Sequence, residues 1–180
     1  MRDLEHHAGK HHETGASGGP RRAGIAALAL FLLALGIPAP GNAALLTGRV
    51  VSVHDGDSIT VLDAYRRQHK IRLSGIDAPE LKQAYGHASR KHLADQVAGR
   101  SVVIEWFKRD KYKRIVGKVL LDGRDINITQ IEAGLAWHYK KYDKEQIRID
   151  RERYAQAEER TRTTRVGLWK EVHPIPPWKY

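Results

Sequence analysis

Three short apolar stretches separated by turn residues constrain the fold of this chain more than any other feature. They are Leu45–Val53, Ser58–Leu62 and Gln68–Gly75. Each is either rich in β-branched residues or alternates between apolar and polar positions, as strands do. Asp55-Gly56, between the first two, is typical of a turn. We therefore predict three consecutive strands joined by short connections.

The periodicity then changes twice along the chain. The spacing predicts a helix over Leu81–Ala98, with Gly99 as its stop signal. Ser101–Lys108 and Arg114–Leu121 return to strand composition, and Asp122-Gly123 after the second is a strong hairpin signal.

Two further helices are predicted at Ile126–Ala133 and Lys144–Thr163. The order of three strands, a helix, two strands and two helices predicts an α+β, mainly β fold. We expect a five-stranded OB-type Greek-key barrel with about three helices. Such barrels often bind nucleic acids, but the fold alone does not establish that function.

The first 43 residues differ in composition from the rest of the chain. Arg21-Arg22 precede an uncharged apolar run over 23–37, and the small residues and helix breakers of 38–43 follow. This layout predicts a cleavable secretory signal over 1–43 and a secreted or periplasmic protein. The competing interpretation is an uncleaved membrane anchor, although the run is short for a membrane-spanning helix.

The remaining chain divides into a predicted compact domain over 44–171 and a Pro-rich tail over 172–180. The tail has the composition of a polyproline II ligand. We favour the alternative that it packs on its own domain.

Charge and cysteine content limit the possible functions. The chain has 31 Lys and Arg against 21 Asp and Glu, a net charge of +10, and no cysteine. The absence of cysteine excludes disulfides, thiolate metal sites and a cysteine nucleophile. The basic balance predicts a polyanionic partner, which is nucleic acid, anionic lipid or acidic glycan.

Charged residues recur where the predicted strands begin or end. Asp57 opens the second strand, Arg72 lies within the third, Asp77 and Glu80 follow its end, and Arg114 opens the fifth. A charge in a core-like strand costs free energy unless it is paired or functional. The interpretations of Arg72 are an ordinary surface strand, an ion pair with Asp77 and a catalytic role.

Residues 46–171 resemble the staphylococcal nuclease family. The resemblance is carried, in order, by Asp55–Ser58, Ile71–Glu80, Tyr85–Ala88, Asp110–Arg114, Asn127, Gly134–Ala136 and Gly167–Trp169. It implies an OB barrel with three helices and metal-dependent cleavage of DNA and RNA phosphodiesters, generally with calcium.

The resemblance also implies roles for individual residues. Asp57 and Asp77 match the metal-ligating carboxylates, and Ala78 matches a residue that ligates through its backbone carbonyl. Arg72 and Arg114 match the phosphate-binding arginines, and Glu80 matches the general base. The substrate-contacting positions are matched by Lys111, Tyr112 and Tyr142. The sequence departs from the family at Ala78, where a hydroxyl residue is known, and at Lys113, where glycine is common.

The sequence thus predicts an exported, monomeric, Ca²⁺-dependent endonuclease that acts on DNA and RNA with low sequence specificity. No stable protein partner is implied, and membrane association follows only if the N-terminal segment stays uncleaved. The alternatives are a non-catalytic OB-fold nucleic-acid-binding module and a binder of anionic glycans or membrane surfaces.

Overall fold

A computed structural model describes residues 43–180 of the chain, so the predicted signal over 1–43 lies outside the described residues except for Ala43. The described chain forms eight strands and three α-helices. The strands are β1 Ala44–Val53, β2 Ser58–Leu62, β3 Gln68–Leu73, β4 Ile76–Asp77, β5 Ser101–Arg109, β6 Ile115–Leu121, β7 Arg124–Asp125 and β8 Trp137–His138. The helices are α1 Gly86–Val97, α2 Ile126–Glu132 and α3 Arg148–Thr163.

Five of the strands close into a barrel, as predicted. Their order is β3-β2-β1-β5-β6, and β6 returns to pair with β3. That closing pair is parallel, with Ile71 opposite Ile115. Alternate residues of each strand fill the interior, and Ile59, Ile71 and Ile104 are fully buried there. Closure leaves the long strands without an unpaired edge and gives the described domain a single main core.

Two of the helices are fixed to the barrel through Asp125. Its carboxylate accepts a hydrogen bond from the Ile128 N–H at 3.2 Å and so caps the N-terminus of α2. The same carboxylate accepts the buried Tyr154 hydroxyl of α3 at 2.9 Å. These contacts place α2 and α3 against the barrel, so that the chain between them, 133–147, passes close to β3.

The prediction for the first helix was wrong at its start. α1 begins at Gly86, and residue 85 before it has a left-handed φ of 66°. A Cβ on Gly86 would lie 2.0 Å from the carbonyl oxygen of Glu80, so the backbone there is tightly folded on itself. Residues 81–85 therefore form turns rather than the first part of the helix.

The third predicted helix also begins later than expected. Lys140–Glu145 forms a 3₁₀ helix, and α3 starts only at Arg148. The Pro-rich tail packs on its own domain, because Tyr180 donates to the Lys82 carbonyl at 3.3 Å and Gln83 donates to the Ile175 carbonyl. Across residues 43–180, none of the helices combines the length and apolar sequence that crossing a membrane requires.

Candidate active site

The guanidinium of Arg72 holds two carboxylates on the outer side of the barrel. Ile71 and Leu73 point into the core, so the side chain between them points outward. Its Nη2 lies 3.2 Å from Asp57 Oδ2 and 2.5 Å from Asp77 Oδ1. Its Nη1 donates to the carbonyls of Leu73 and Ile76 at 2.8 Å each. The Arg72–Asp77 ion pair, one of the alternatives for Arg72, is present, and Asp57 also pairs with this guanidinium.

Asp57 is placed by a tight turn between β1 and β2. Asp55 accepts the Asp57 N–H at 2.9 Å through Oδ1 and the Ser58 hydroxyl at 2.7 Å through Oδ2. A Cβ on Gly56 would lie 1.8 Å from Ser89 Oγ, so a larger residue does not fit in this turn. Asp57 Oδ2 in turn accepts the Ala78 N–H at 2.8 Å. The turn formed by the Asp-Gly-Asp-Ser sequence therefore orients the buried Asp57 carboxylate toward Arg72.

Asp77 is placed by a short strand pair that the sequence pattern did not predict. Gly75, with a φ of 73°, turns the chain back after β3. β4 then pairs with β8, with Asp77 opposite Trp137. The chain from residue 72 to residue 78 consequently wraps around the Arg72 guanidinium.

The acidic groups beside the Arg72 guanidinium, those of Asp55, Asp57, Asp77 and Glu80, form a cluster in which they outnumber the basic group. Burial raises the pKa of Asp57 to about 8, with smaller upward effects from Asp55 and Asp77, and the charge of Arg72 opposes the shift only in part. Burial also raises the pKa of Asp77, and the charge of Glu80 adds to that rise. The carboxyl groups of Asp55, Asp57, Asp77 and Glu80 therefore influence one another beside a single guanidinium.

The donor set suits a hard divalent cation. Carboxylate and carbonyl oxygens are the ligands that calcium prefers, and the carboxylates of Asp57 and Asp77 lie close enough together to share the Arg72 Nη2. Within residues 43–180 no three His, Cys, Asp or Glu side chains are grouped to hold a metal ion. A site there would accordingly need ligands besides its two carboxylates, and the Ala78 carbonyl and water are of the right chemical type.

A cleft of about 620 Å³ opens beside the cluster. Six of the nine predicted site residues line it: Arg72, Asp77, Lys111, Tyr112, Arg114 and Tyr142. Arg72 pairs with Val116, and Arg114 precedes Val116 by two residues, so strand alternation places both arginines on the same face. The structure therefore brings the two predicted phosphate-binding arginines to one cleft.

Arg114 is oriented by a neighbouring aspartate. Asp110 Oδ2 accepts the Arg114 Nε–H at 2.7 Å, and Oδ1 accepts the backbone N–H groups of Tyr112 and Arg114 at 2.9 Å. Lys113 has a left-handed φ of 64°, a conformation that costs other residues about 1–2 kcal/mol relative to glycine. The turn forms here with lysine at this position.

The predicted substrate-binding residues offer charge and aromatic surface. Tyr112 is 66% exposed, and its ring carries the Lys111 ammonium at 5.0 Å and the Arg114 guanidinium at 5.5 Å. Tyr142, from the 3₁₀ helix, is 49% exposed. Basic groups stacked on exposed rings are suited to contact with phosphates and bases.

Glu80 does not line this cleft. Its side chain is exposed in a neighbouring groove that Asp55 also lines, and its link to the cluster is its charge acting on Asp77. Asp57 and Ala78 lie behind the cleft as buried residues. Of the nine predicted residues, six line the cleft, two are buried outside its lining and one lines the neighbouring groove.

Sequence reasoning missed the residues that hold the site in place. Asp55 and Asp110 each accept several hydrogen bonds from the turn that follows them. Each aspartate accepts the backbone N–H of the residue two positions later, which is typical of an Asx turn. An aspartate at the start of a Gly- or Lys-rich turn could therefore have indicated this role. Tyr139, which lies in a segment where basic and aromatic residues alternate, also lines the cleft.

Comparison with known proteins identifies relatives of this chain. A family model described as staphylococcal nuclease homologue matches residues 70–171. The chain is 42% identical over 132 residues to an uncharacterized endonuclease of Escherichia coli, covering 73% of this chain and 82% of the relative. An uncharacterized endonuclease of Haemophilus influenzae is 37% identical over 131 residues, covering 73% and 70%. The staphylococcal-like nuclease CAN1 of Arabidopsis thaliana is 37% identical over 114 residues, covering 63% and 29%.

Proposed function

The chain belongs to the staphylococcal nuclease homologue family, and on that basis we propose that it is a calcium-dependent nuclease. It hydrolyses the phosphodiester bonds of DNA and RNA with low sequence specificity. The observation that carries this proposal is the convergence of Arg72 and Arg114 on one cleft, beside two carboxylates that share the Arg72 guanidinium.

The two arginines match the charge of the proposed substrate. A phosphodiester is anionic and repels hydroxide, and attack adds negative charge to the phosphoryl oxygens. Guanidinium groups present planar pairs of N–H donors that fit those oxygens. Preorganised donors of this kind typically contribute about 10²–10³-fold to the rate. Arg72 and Arg114 are preorganised because Asp57, Asp77 and Asp110 fix their orientation.

Water activation is the role we assign to Glu80. An exposed carboxylate next to the cluster accepts a proton from water as the water attacks phosphorus, a contribution worth about 10²–10⁴-fold. Asp57, Asp77 and the Ala78 carbonyl would hold the calcium ion. When bound, that ion supplies charge that polarises the phosphoryl group.

Low sequence specificity follows from the kind of contact that the cleft offers. Lys111, Tyr112 and Tyr142 present ammonium and aromatic surface to a strand. Contacts with phosphates and with the faces of bases position a nucleic acid but carry little sequence information.

Metal removal tests the proposal. We expect the mature protein to cleave single-stranded DNA, plasmid and RNA with calcium, to stop in chelator and to resume when calcium is restored. Calcium should also raise the melting temperature, because a cation that binds only the folded state stabilises it. Asp57→Asn should lose both effects, whereas Asp95→Asn, at an exposed carboxylate of α1, should keep both.

Two outcomes would contradict the proposal. Cleavage that persists in chelator would exclude the metal role. Tight, salt-sensitive binding of DNA without turnover under any metal would identify the chain as a non-catalytic nucleic-acid-binding module instead.

Export is a separate part of the proposal. It rests on the sequence of residues 1–43, where an Arg pair, an apolar run and small residues follow one another. N-terminal sequencing of the protein recovered from outside the cytoplasm should begin near residue 44, and an intact N-terminus would support the uncleaved anchor.

A further inference from the structure

A second cleft, separate from the candidate active site, lies where the C-terminal tail meets β8 and α3. It measures about 760 Å³. Among the residues that line it are Tyr139, Lys141, Glu158, Arg162, Trp169 and Trp178. Nothing in the proposed reaction uses this cleft.

The aromatic wall of the cleft includes an exposed indole. Trp178 is 49% exposed although its ring lies 6.2 Å from that of Trp137 and 5.4 Å from that of Tyr139, centroid to centroid. The neighbouring rings fix the position of the indole, and its exposed part remains accessible. A fixed, accessible aromatic ring is the element on which single-stranded nucleic acids stack their bases.

The charge of the cleft is positive. Lys140, Lys141 and Arg162 line it together with one carboxylate, that of Glu158. Glu158 pairs with Lys140, so Lys141 and Arg162 provide the surplus. The Arg162 guanidinium lies 4.9 Å from the centre of the Trp169 ring.

The second cleft adjoins the first. Tyr139 lines both, and every residue from Trp137 to Tyr142 lines one or the other. The two clefts therefore share the segment 137–142 as a common wall.

We propose that the second cleft binds a single-stranded segment of the substrate next to the cleaved phosphodiester. A base of that segment stacks on Trp178, and its phosphates contact Lys141 and Arg162. The inference rests on the proposed nuclease function and adds a second binding site for the same nucleic acid.

The test measures binding against oligonucleotide length. Oligothymidylates with a cleavage-resistant phosphorothioate backbone, from two to about twelve nucleotides, cover the span of one OB domain. We expect wild-type affinity to rise with length. Trp178→Ala should weaken binding of the longest oligonucleotide about 5- to 150-fold and leave the dinucleotide affinity unchanged, since one stacked base is lost.

Three further variants separate stacking from damage to the tail. Trp178→Tyr keeps an aromatic ring and should restore most of the affinity. Lys141→Gln combined with Arg162→Gln leaves the tail intact and should lower the slope of log affinity against log salt by about 1.4. Tyr65→Ala removes another exposed ring, in the β2–β3 connection, and should bind like wild type.

The outcomes separate this inference from the proposed function. If wild type and Trp178→Ala bind long oligonucleotides equally, the second site is wrong and the nuclease proposal stands. If Trp178→Ala loses dinucleotide affinity to the same degree, the residue acts on the first cleft and the second site is again wrong. If wild type binds none of these oligonucleotides and also fails to cleave unmodified DNA and RNA, the proposed function fails as well.

Discussion

Replacing Glu80 by glutamine is expected to lower kcat on single-stranded DNA about 10²–10⁴-fold and to leave KM close to the wild-type value. The amide cannot accept the proton of the attacking water, whereas phosphate binding depends on Arg72 and Arg114, which the substitution does not touch. The fold should persist, because the Glu80 side chain is exposed and the residue forms hydrogen bonds with Gln83 through its backbone N–H and carbonyl. Initial rates at saturating calcium, with a melting temperature for each protein, measure the effect.

A matched control is Glu132→Gln. Glu132 is also exposed, but it lies at the end of α2, outside the cleft and outside the groove of Glu80. It should retain wild-type kcat. If Glu80→Gln retains wild-type kcat as well, Glu80 is not the base. If both variants lose activity equally, the loss reflects the overall charge of the protein and again gives Glu80 no special role.

The barrel was predictable because its information is local. β2 has the predicted bounds, and β1, β5 and β6 differ from theirs by one residue. Alternation of side chains and turn residues such as Asp55-Gly56 determine these elements without reference to distant parts of the chain. Local order also suggested the Arg72–Asp77 pair, since the two residues are only five apart.

The errors arose where contacts between segments, some near and some distant in sequence, decide the structure. α1 begins at Gly86 because the chain before it folds tightly against Glu80, and helical periodicity does not report such an approach. β4 exists only because β8, some sixty residues away in sequence, pairs with it. The buried position of Asp57 likewise depends on Ala78 and Ser89.

The placement of the tail belongs to the same class. The Pro-rich composition of 172–180 is compatible with an extended ligand or with a packed end, and the sequence offers no periodicity that distinguishes them. Contacts with Trp137, Tyr139 and Lys82 decide the matter. The second cleft is a product of that packing, so no local pattern predicts it.

Replacing Arg72 by lysine is expected to reduce kcat/KM about 10²–10³-fold and to lower the free energy of unfolding by about 1–3 kcal/mol. The guanidinium meets four oxygen partners through two nitrogens: the Asp57 and Asp77 carboxylates and two backbone carbonyls. A single ammonium on a flexible stem does not reproduce that fork or its fixed approach to a phosphate. Steady-state kinetics on DNA and urea unfolding measure the two effects.

Arg148→Lys provides the matched control, because Arg148 forms an exposed ion pair with Glu152 at 2.9 Å and should change neither quantity. The two measurements on Arg72→Lys then separate the roles of the guanidinium. Lower stability with unchanged kcat/KM would make Arg72 a residue that only holds Asp57 and Asp77 in place. Lower kcat/KM with unchanged stability would mean that the Asp57 and Asp77 carboxylates keep their positions without the guanidinium. Losses in both quantities are expected, because the atoms that orient Arg72 toward a phosphate are the same atoms that hold the buried carboxylates together.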